Sequence, residues 1–492
     1  LDSKFCTFSP LLQNRKMQNN VQFVLDGKIV SLDFQVPEIK PTTTVLNYLR
    51  SLPVHKGVKE GCAEGDCGAC TVVLGEVGND GKIQYKSVDS CLMFLPMLHG
   101  KQLVTVENLK TENDELHPVQ ISMVETGGSQ CGFCTPGFIM SLFALYKNKN
   151  NPTRDEIDDT LTGNLCRCTG YKPIIEAAAK SCVNETKDNF SNSESQTVNL
   201  LKTISNESIH IQTKQQNYFQ PTSLKEAIEL KNKFTDAVVL NGATDVALRV
   251  TKKHELLKEI LDLSRVDELK KFVVNQNSVL IGAGISLEDV KRKVGNDFPA
   301  LFNMLSVFGS MQIRNLATLG GNLGTASPIG DALPVLLAYN ATVELQSMND
   351  KRNIALDEYF IDYRKTLREE NELITSIIVP KLSNGTIVKS YKISKRKDLD
   401  ISTVSSGFRL KVNSNNEVKE IKLAFGGMAE KTKRATTTEN FLLQKEWRRE
   451  TIEQAMKILE KEFTPISDAR ASKEFRSIAS KNLLLKFYTE TK

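Results

Sequence analysis

Apolar and polar residues alternate along "VQFVLDGKIVSLDFQV", positions 21 to 36, around a break at Asp26-Gly27. That pair accepts the positive φ of a tight turn, so the stretch predicts a β-hairpin. In "TTTVLNYLRSL" threonines stand ready to cap a helix, and Val45, Leu46 and Leu49 follow at helical spacing. Strand-like "CTVVLGEV", "YKSVDSCLMFL" and "QLVTVENL" complete a small mixed sheet with one helix over residues 20–107, the β-grasp pattern. The pattern then changes. Across 108–183, "HPVQISMVETG", "PGFIMSLFALYKNK", "TRDEIDDTLTG" and "YKPIIEAAAKSCV" have the apolar spacing of a compact four-helix bundle. Thr135-Pro136 predicts a cap followed by a first-turn proline, and Thr153 with Glu156 a capping box.

From Val183 to Asn217 roughly half the residues are Asn, Ser, Thr or Gln, which reads as a solvated linker over 184–216. Residues 217–387 then alternate strands and helices. "DAVVLNGATDVALRV" and "SVLIGAGISLEDVKRKV" each run from a strand through a glycine turn into a helix, while "SPIGDALPVLLAYNATVEL" reads as helix then strand. Over 388–492, "SYKISKRKDLDISTVSSGFRLKV" and "EIKLAFGGMAEK" predict strands. Long helices at "ENFLLQKEWRRETIEQAMKILEKEF" and "SKEFRSIASKNLLLKFYTE" close an α+β lobe. Residues 1–19 have no periodicity and read as an N-terminal extension, with Cys6 a bystander. The fold class is multidomain α+β.

With 492 residues, 40% of them apolar, the chain has material for about three packed domains. A net charge of +5, from 64 basic and 59 acidic residues, gives no strong field pointing to nucleic acid or an acidic surface. Neither a long apolar run nor a secretory leader stands out, which predicts a cytoplasmic protein. In a reducing compartment ten cysteines suit metal or redox chemistry better than disulfides, the more so because eight fall in two tight clusters.

The first cluster, Cys62-x4-Cys67-x2-Cys70 followed by Cys91, has the plant-type ferredoxin spacing for a 2Fe-2S centre. Gly61, Gly65 and Gly68 allow backbone to wrap closely around such a group, and "DSCLMF" brings the fourth thiol from a strand-like piece. The second is Cys131-x2-Cys134 with Cys166-x-Cys168, both pairs at helix junctions. Its Cys-x-Cys half is unusual for structural zinc, yet zinc and plain reduced thiols both stay open on spacing alone. Cys182 is left over as an inert thiol.

Two glycine turns suggest a phosphate-bearing guest. "LNGATDV" places Gly242 to Asp245 between a strand and a helix start, where free N–H groups attract an anion. "ATLGGNLGTASPIGDALP" combines Gly320, Gly321 and Gly324 with Thr318, Asn322, Thr325 and Ser327, and Ser327-Pro328 predicts a helix start. Neither turn is G-x-G-x-x-G, so a Rossmann site is not indicated.

The order "GCAEGDCGACTV", "SCLM", "SQCGFCTPG", "LTGNLCRCTGYKPI" resembles the paired 2Fe-2S domains of the molybdenum hydroxylases, the xanthine dehydrogenase and aldehyde oxidase family, over residues 20 to 182. The likeness extends over 216 to 490, to that family's FAD domain and smaller C-terminal lobe. It implies that Cys62, Cys67, Cys70 and Cys91 hold the cluster nearer the flavin, and that Cys131, Cys134, Cys166 and Cys168 hold the one nearer the molybdopterin. Gln130 is implied to approach the pterin. For FAD it implies Leu240, Asn241, Gly242, Ala243, Thr244, Asp245, Val246 and Ala247 along the pyrophosphate. Phe308, Thr318, Gly321, Asn322, Thr325, Ser327 and Asp331, together with Ile374 and Lys392, are implied around the rest. Read from the residues alone, Ile374 suits strand core, Lys392 a solvated charge and "SKRKDLD" a solvated loop, near which the family places acceptor access.

No residue looks suited to substrate hydroxylation itself, and the sequence carries no large molybdopterin domain. The resemblance therefore implies an electron-transfer subunit of a xanthine dehydrogenase-like enzyme, with hypoxanthine or xanthine oxidised on a separate molybdopterin chain and electrons leaving through two 2Fe-2S clusters and FAD to NAD. A heterotetramer of two small and two large subunits is the expected assembly. The alternatives are the equivalent subunit of an aldehyde or N-heterocycle hydroxylase using oxygen or quinone and, in another class, a zinc-stabilised scaffold.

Overall fold

A computed structural model describes residues 18–111, 113–183 and 188–492; Cys6 and most of the N-terminal extension lie outside them. The hairpin forms as expected: Asn20–Leu25 pairs antiparallel with Lys28–Asp33, and Asp26 and Gly27 take φ of 52° and 68° in the turn. These strands join Gln102–Val104, Thr71–Val77 and Ile83–Asp89 in one five-stranded sheet, with Asn20–Leu25 second from the edge and parallel to Gln102–Val104. The helix Val45–Ser51 is capped by the Thr44 hydroxyl, which accepts from Asn47 N at 3.2 Å, and it buries Val45, Leu46 and Leu49.

The bundle consists of Pro118–Glu125, Thr135–Asn148, Arg154–Leu161 and Lys172–Ser181. Thr153 and Glu156 form the capping box, with Thr153 N donating to the carboxylate at 2.9 Å and Glu156 N to the hydroxyl at 3.3 Å. Thr135 is not a cap. It is the first helical residue, its hydroxyl 2.7 Å from that of Ser129, and Cys134 stands at the cap position with no side-chain cap bond. A thiol at a helix start that caps nothing is free for a metal.

The polar stretch read as a solvated linker instead packs. Helix Glu194–Thr203 buries Val198 and Leu201, which with Ile204 join the bundle core. Asp188 is buried where Lys147 Nζ at 2.9 Å and His117 Nε2 at 3.1 Å meet its carboxylate. Polar composition misleads here because the apolar residues, though few, recur at i, i+3 on one helix face.

The third unit begins with a four-stranded sheet ordered Ile209–Gln212, Asn217–Gln220, Glu259–Asp262 and Val238–Leu240, its last two pairings parallel. Ile209, Tyr218, Leu240 and Ile260 pack into the same core as Phe23, Leu46 and Leu98, so the β-grasp sheet and this sheet share one apolar interior. An antiparallel sheet of Phe272–Val274, Ser278–Gly282, Leu373–Pro380, Thr342–Gln346 and Lys351–Ala355 follows, covered by helices that include Leu287–Val294, Pro299–Ser306 and Ala332–Ala338.

Thr386–Ile393, Val404–Val412, Val418–Gly426 and Lys433–Arg434 make the last sheet, packed on three helices through Phe408, Phe425, Trp447 and Phe487. The single helix expected over 439–463 is two, Thr436–Leu442 and Arg449–Glu462. Gln444 between them takes φ 62° and donates its N–H to Val418 O at 2.9 Å, while Lys445 O accepts from Val418 N at 2.8 Å. This strand-like exchange stops the helix and lets Trp447 reach the core, where it is 1% exposed.

Candidate redox centres

Eight cysteines gather into two quartets, and within each the thiols lie in two pairs. Cys62 neighbours Cys67 and Cys70 neighbours Cys91; Cys131 neighbours Cys168 and Cys134 neighbours Cys166, each pair within hydrogen-bonding reach. Among the described residues no three His, Cys, Asp or Glu side chains converge on a position for a single ion. Two pairs per quartet suit two irons bridged by sulfide, each iron taking one pair, better than one tetrahedral zinc.

The first quartet is set in the loop between the helix Val45–Ser51 and the strand Thr71–Val77. Its fourth member, Cys91, sits in the turn just past Ile83–Asp89 rather than in a strand, because Leu92 N closes back on Asp89 O at 3.0 Å. Glu64 N and Asp66 N point at Cys62 Sγ from 3.4 and 3.2 Å, the kind of backbone donors that stabilise a thiolate or a cluster sulfur. The Cys67 thiol beside it, aided by those amides and opposed by burial, holds Cys62 down to about 5. Asp66 moves the other way: burial first, then the charge of Cys62, raises it to about 6. Asp89, fully enclosed 3.6 Å from the Cys70 sulfur, is pushed well up by burial.

The glycines of this loop serve neighbours as much as the metal. A Cβ at Gly61 would come 2.7 Å from Cys67 Sγ, in keeping with close wrapping. At Gly65 it would strike Leu92 and Ile313 at 2.6 and 2.7 Å, and at Gly68 it would overlap Gly163 O; both residues hold positive φ, 82° and 66°. Their lack of a side chain lets the bundle and the third unit close on the loop. Lys252, just past helix Val246–Thr251, donates to Cys62 O and lies 3.5 Å from Glu64.

The second quartet lies at the starts of Thr135–Asn148 and Lys172–Ser181. Cys131 and Cys168 are exposed, as are Gln130, Phe133 and Tyr171 around them. Thr169 Oγ1 donates to Cys166 Sγ at 3.2 Å, and burial, with Cys166 beside it, pushes the Cys134 thiol up to about 12.

Sequence reading missed the helix Met311–Leu316, on which the units meet. Its Arg314 is fully buried and paired with Glu288 and with Asp159 of the bundle, both at 2.7 Å. Gln312 Nε2 donates to Ser141 Oγ and Asn164 Oδ1 at 2.9 Å, and Asn315 Nδ2 to Ser87 O at 2.8 Å. The signal available was "SMQIRNL", where polar side chains fall at positions that neither capping nor a solvent face requires.

Beyond this helix the glycine-rich stretch presents an open face, called the flavin hollow below for the guest proposed there. The glycines do not form a turn ahead of a helix: they occupy one, Leu319–Thr325, whose N-cap Thr318 accepts from Gly321 N at 3.1 Å. Ser327-Pro328 is the bend after it, and the next helix begins at Ala332. Gly321 and Gly324 are exposed, and a Cβ on Gly324 would only touch Ile374, at 3.5 Å. The other turn joins here, since a Cβ on Gly242 would collide with Leu316 O. Ala243 and Ala326 take φ of 60° and 45° at the hollow's edges. Leu240, Ala243 and Ala247 are buried in the shared core, so in their segment only backbone groups and the partly exposed Asn241, Thr244, Asp245 and Val246 face a guest. Phe308 lies beside the helix Met311–Leu316, its carbonyl 3.2 Å from Arg314.

Lys392 is not a solvated charge. Its side chain is 4% exposed, its ammonium lies 2.9 Å from both Asp331 and Val307 O, and Ser402 donates to the other Asp331 oxygen at 2.6 Å. The loop 394–400 carries exposed charges but buries Leu399, and with Asp66 it borders a cavity of about 220 Å³. FAD fits the glycine-rich stretch, not that cavity, on one observation in particular: Asn322 Oδ1 is buried there with no protein partner, beside the exposed Gly321 and Gly324.

Two cysteine quartets of two-iron geometry beside a glycine-lined hollow define an iron–sulfur flavoprotein, an electron-transfer module. Four family models match in series: a 2Fe-2S iron-sulfur cluster binding domain at 26–94, a [2Fe-2S] binding domain at 105–179, the FAD binding domain in molybdopterin dehydrogenase at 211–382 and the CO dehydrogenase flavoprotein C-terminal domain at 389–491. The chain belongs to the molybdenum hydroxylase family. Among its relatives, the xanthine dehydrogenase of Emericella nidulans is 33% identical over 92% of this chain and the xanthine dehydrogenase/oxidase of Gallus gallus 32% over 95%. The chain spans 37% and 40% of their respective lengths. The structure of a carbon monoxide dehydrogenase from Hydrogenophaga pseudoflava superposes with TM-score 0.52 at 25% identity, covering 55% of this chain and 94% of that one. No helix among the described residues is long and apolar enough to cross a membrane.

Proposed function

We propose that this module serves a xanthine dehydrogenase-like enzyme, passing electrons from a molybdopterin-bearing partner, where hypoxanthine or xanthine is oxidised, to NAD in the cytoplasm. The cofactors supply the redox chemistry when bound: one-electron transfer at each 2Fe-2S centre, and at FAD the exchange between single electrons and hydride. The chain's own residues set the order. Cys131, Cys134, Cys166 and Cys168 present the outward quartet, with Gln130 beside it, to the molybdopterin side. Cys62, Cys67, Cys70 and Cys91 hold the enclosed quartet between it and the flavin hollow.

One observation supports the step between the quartets: Leu165 N, next to Cys166, donates to Cys67 O at 3.0 Å, so the two cysteine loops touch through their backbones. The glycine face of Gly321 and Gly324, Asn322 and the backbone of 240–247 receive FAD, while Lys392 and Asp331 neutralise each other and keep that wall dry. A heterotetramer of two such chains and two molybdopterin chains is part of the proposal.

The test is anaerobic titration of the assembled enzyme, followed by its visible iron–sulfur and flavin bands. Hypoxanthine is expected to bleach both band sets and NAD to restore them. Bleaching by an aldehyde or an N-heterocycle but not by hypoxanthine would move the substrate class, and recovery with oxygen or quinone but not NAD would replace the acceptor.

A further inference from the structure

The side-chain amide of Asn164, 2% exposed, uses its full hydrogen-bonding capacity across three parts of the molecule. Its Nδ2 donates to Gly68 O at 3.0 Å and to Thr71 Oγ1 at 3.2 Å, both in the β-grasp unit. Its Oδ1 accepts from Ser141 of the bundle at 2.6 Å and from Gln312 of the buried helix at 2.9 Å. Gly68 lies between Cys67 and Cys70, and Asn164 lies two residues before Cys166. The next residue, Leu165, makes the backbone bond to Cys67 O. Around this amide the backbones are as close as they can come: a Cβ on Gly137, in the first turns of the helix that Cys134 starts, would overlap Gly68 O.

We infer that Asn164 is a positioning residue that fixes the spacing and mutual orientation of the two cysteine quartets. The physical reason is its satisfaction pattern. A buried amide with both donors and both acceptor positions filled has one orientation only, and removing it leaves buried polar groups of separate units facing one another unpaired. Gln312 gives the hub a third anchor, so the helix that docks the flavin hollow also holds the contact between the loops.

The inference rests on the reading of both quartets as 2Fe-2S sites, and the test separates the two. Iron content and low-temperature paramagnetic resonance of the dithionite-reduced chain, loaded with both clusters, are compared for the parent, Asn164→Leu and Gln312→Ala. The parent is expected to show two signals, each split by its paramagnetic neighbour. A parent with one signal, or with iron for a single quartet, overturns the cluster reading itself.

With iron retained, Asn164→Leu is expected to lose or change the splitting by a large fraction while both signals persist, and Gln312→Ala to change it in the same sense by less. Full iron with the parent's splitting in Asn164→Leu overturns the inference. Should Asn164→Leu fail to hold both clusters, Gln312→Ala decides: altered splitting supports the positioning role, and unaltered splitting removes it.

Discussion

The two quartets have the same composition and, beyond one partly exposed pair in each, different surroundings. In the first, Cys70 and Cys91 are 2% and 1% exposed, and the loop is closed over by Leu92, Ile313, Gly163 and Lys252 from other parts of the chain. In the second, Cys131 and Cys168 are exposed and their neighbours Phe133 and Tyr171 stand in solvent, 49% and 37% exposed. With Cys70 and Cys91 shut in, the first quartet reaches the surface only through the partly exposed Cys62 and Cys67, whereas the second offers an exposed pair that can meet a partner. The difference is made by glycines and by one buried helix rather than by the ligands.

Four outcomes sharpen or break the contrast. The largest is Cys166→Ser, which removes one thiol of the outward quartet. Iron is expected to fall by half, with one resonance signal lost and electron entry from the molybdenum side blocked, while reduction of FAD from its own side persists. Equal loss of both routes would contradict the relay order. Next is Gly68→Ala at the enclosed quartet. A methyl there meets Gly163 O and demands positive φ from alanine, costing on the order of 3 kcal/mol in thermal or denaturant unfolding. An unchanged midpoint would mean that the loops are not pressed together.

Third is the pH response of the seam between the β-grasp sheet and the segment that follows the bundle. His99 accepts from Gln22 N at 3.2 Å and its other nitrogen lies 2.8 Å from Ser205 O. Burial, opposed by the Ser205 carbonyl and aided by the Arg265 charge, holds it down to about 4. With the folded value below the usual ~6.5, the unfolded chain takes up the proton first as pH falls. The stability that His99 contributes as a neutral ring is therefore present above about pH 6.5 and lost on the way down to 4, by on the order of 3 kcal/mol at ~1.4 kcal/mol per unit. Unfolding free energies from denaturant titration at pH 7 and pH 4 are expected to differ by about that much less in His99→Gln than in the parent chain. The smallest effect is Phe133→Ser beside the outward quartet: within about 0.5 kcal/mol on unfolding, since the ring is half-exposed, but a measurable weakening of partner binding by titration calorimetry.

Most of what is local was legible in the chain. Asp26-Gly27 specified its hairpin, Thr153 and Glu156 their box, and the thiol spacings both quartets, since each depends on residues a few positions apart whose chemistry permits few alternatives. The misreadings share a cause. The helix over 439–463 breaks because Gln444 and Lys445 pair with Val418, far away in sequence. Lys392 is buried because Asp331 waits for it, and the segment after Val183 packs because the bundle offers a groove to Val198 and Leu201.

The sequence by itself determined which thiols fall into two quartets and which glycine-bearing segments leave backbone open to a guest, because thiol chemistry and glycine's missing Cβ are properties of single residues. Only the tertiary structure decided which quartet is enclosed and which faces outward, and that Asn164, Gln312 and Arg314 stand where three units meet. A polar side chain in a pattern has no fixed meaning until packing either leaves it in water or surrounds it with partners. For these three, burial made a full set of hydrogen bonds and ion pairs obligatory.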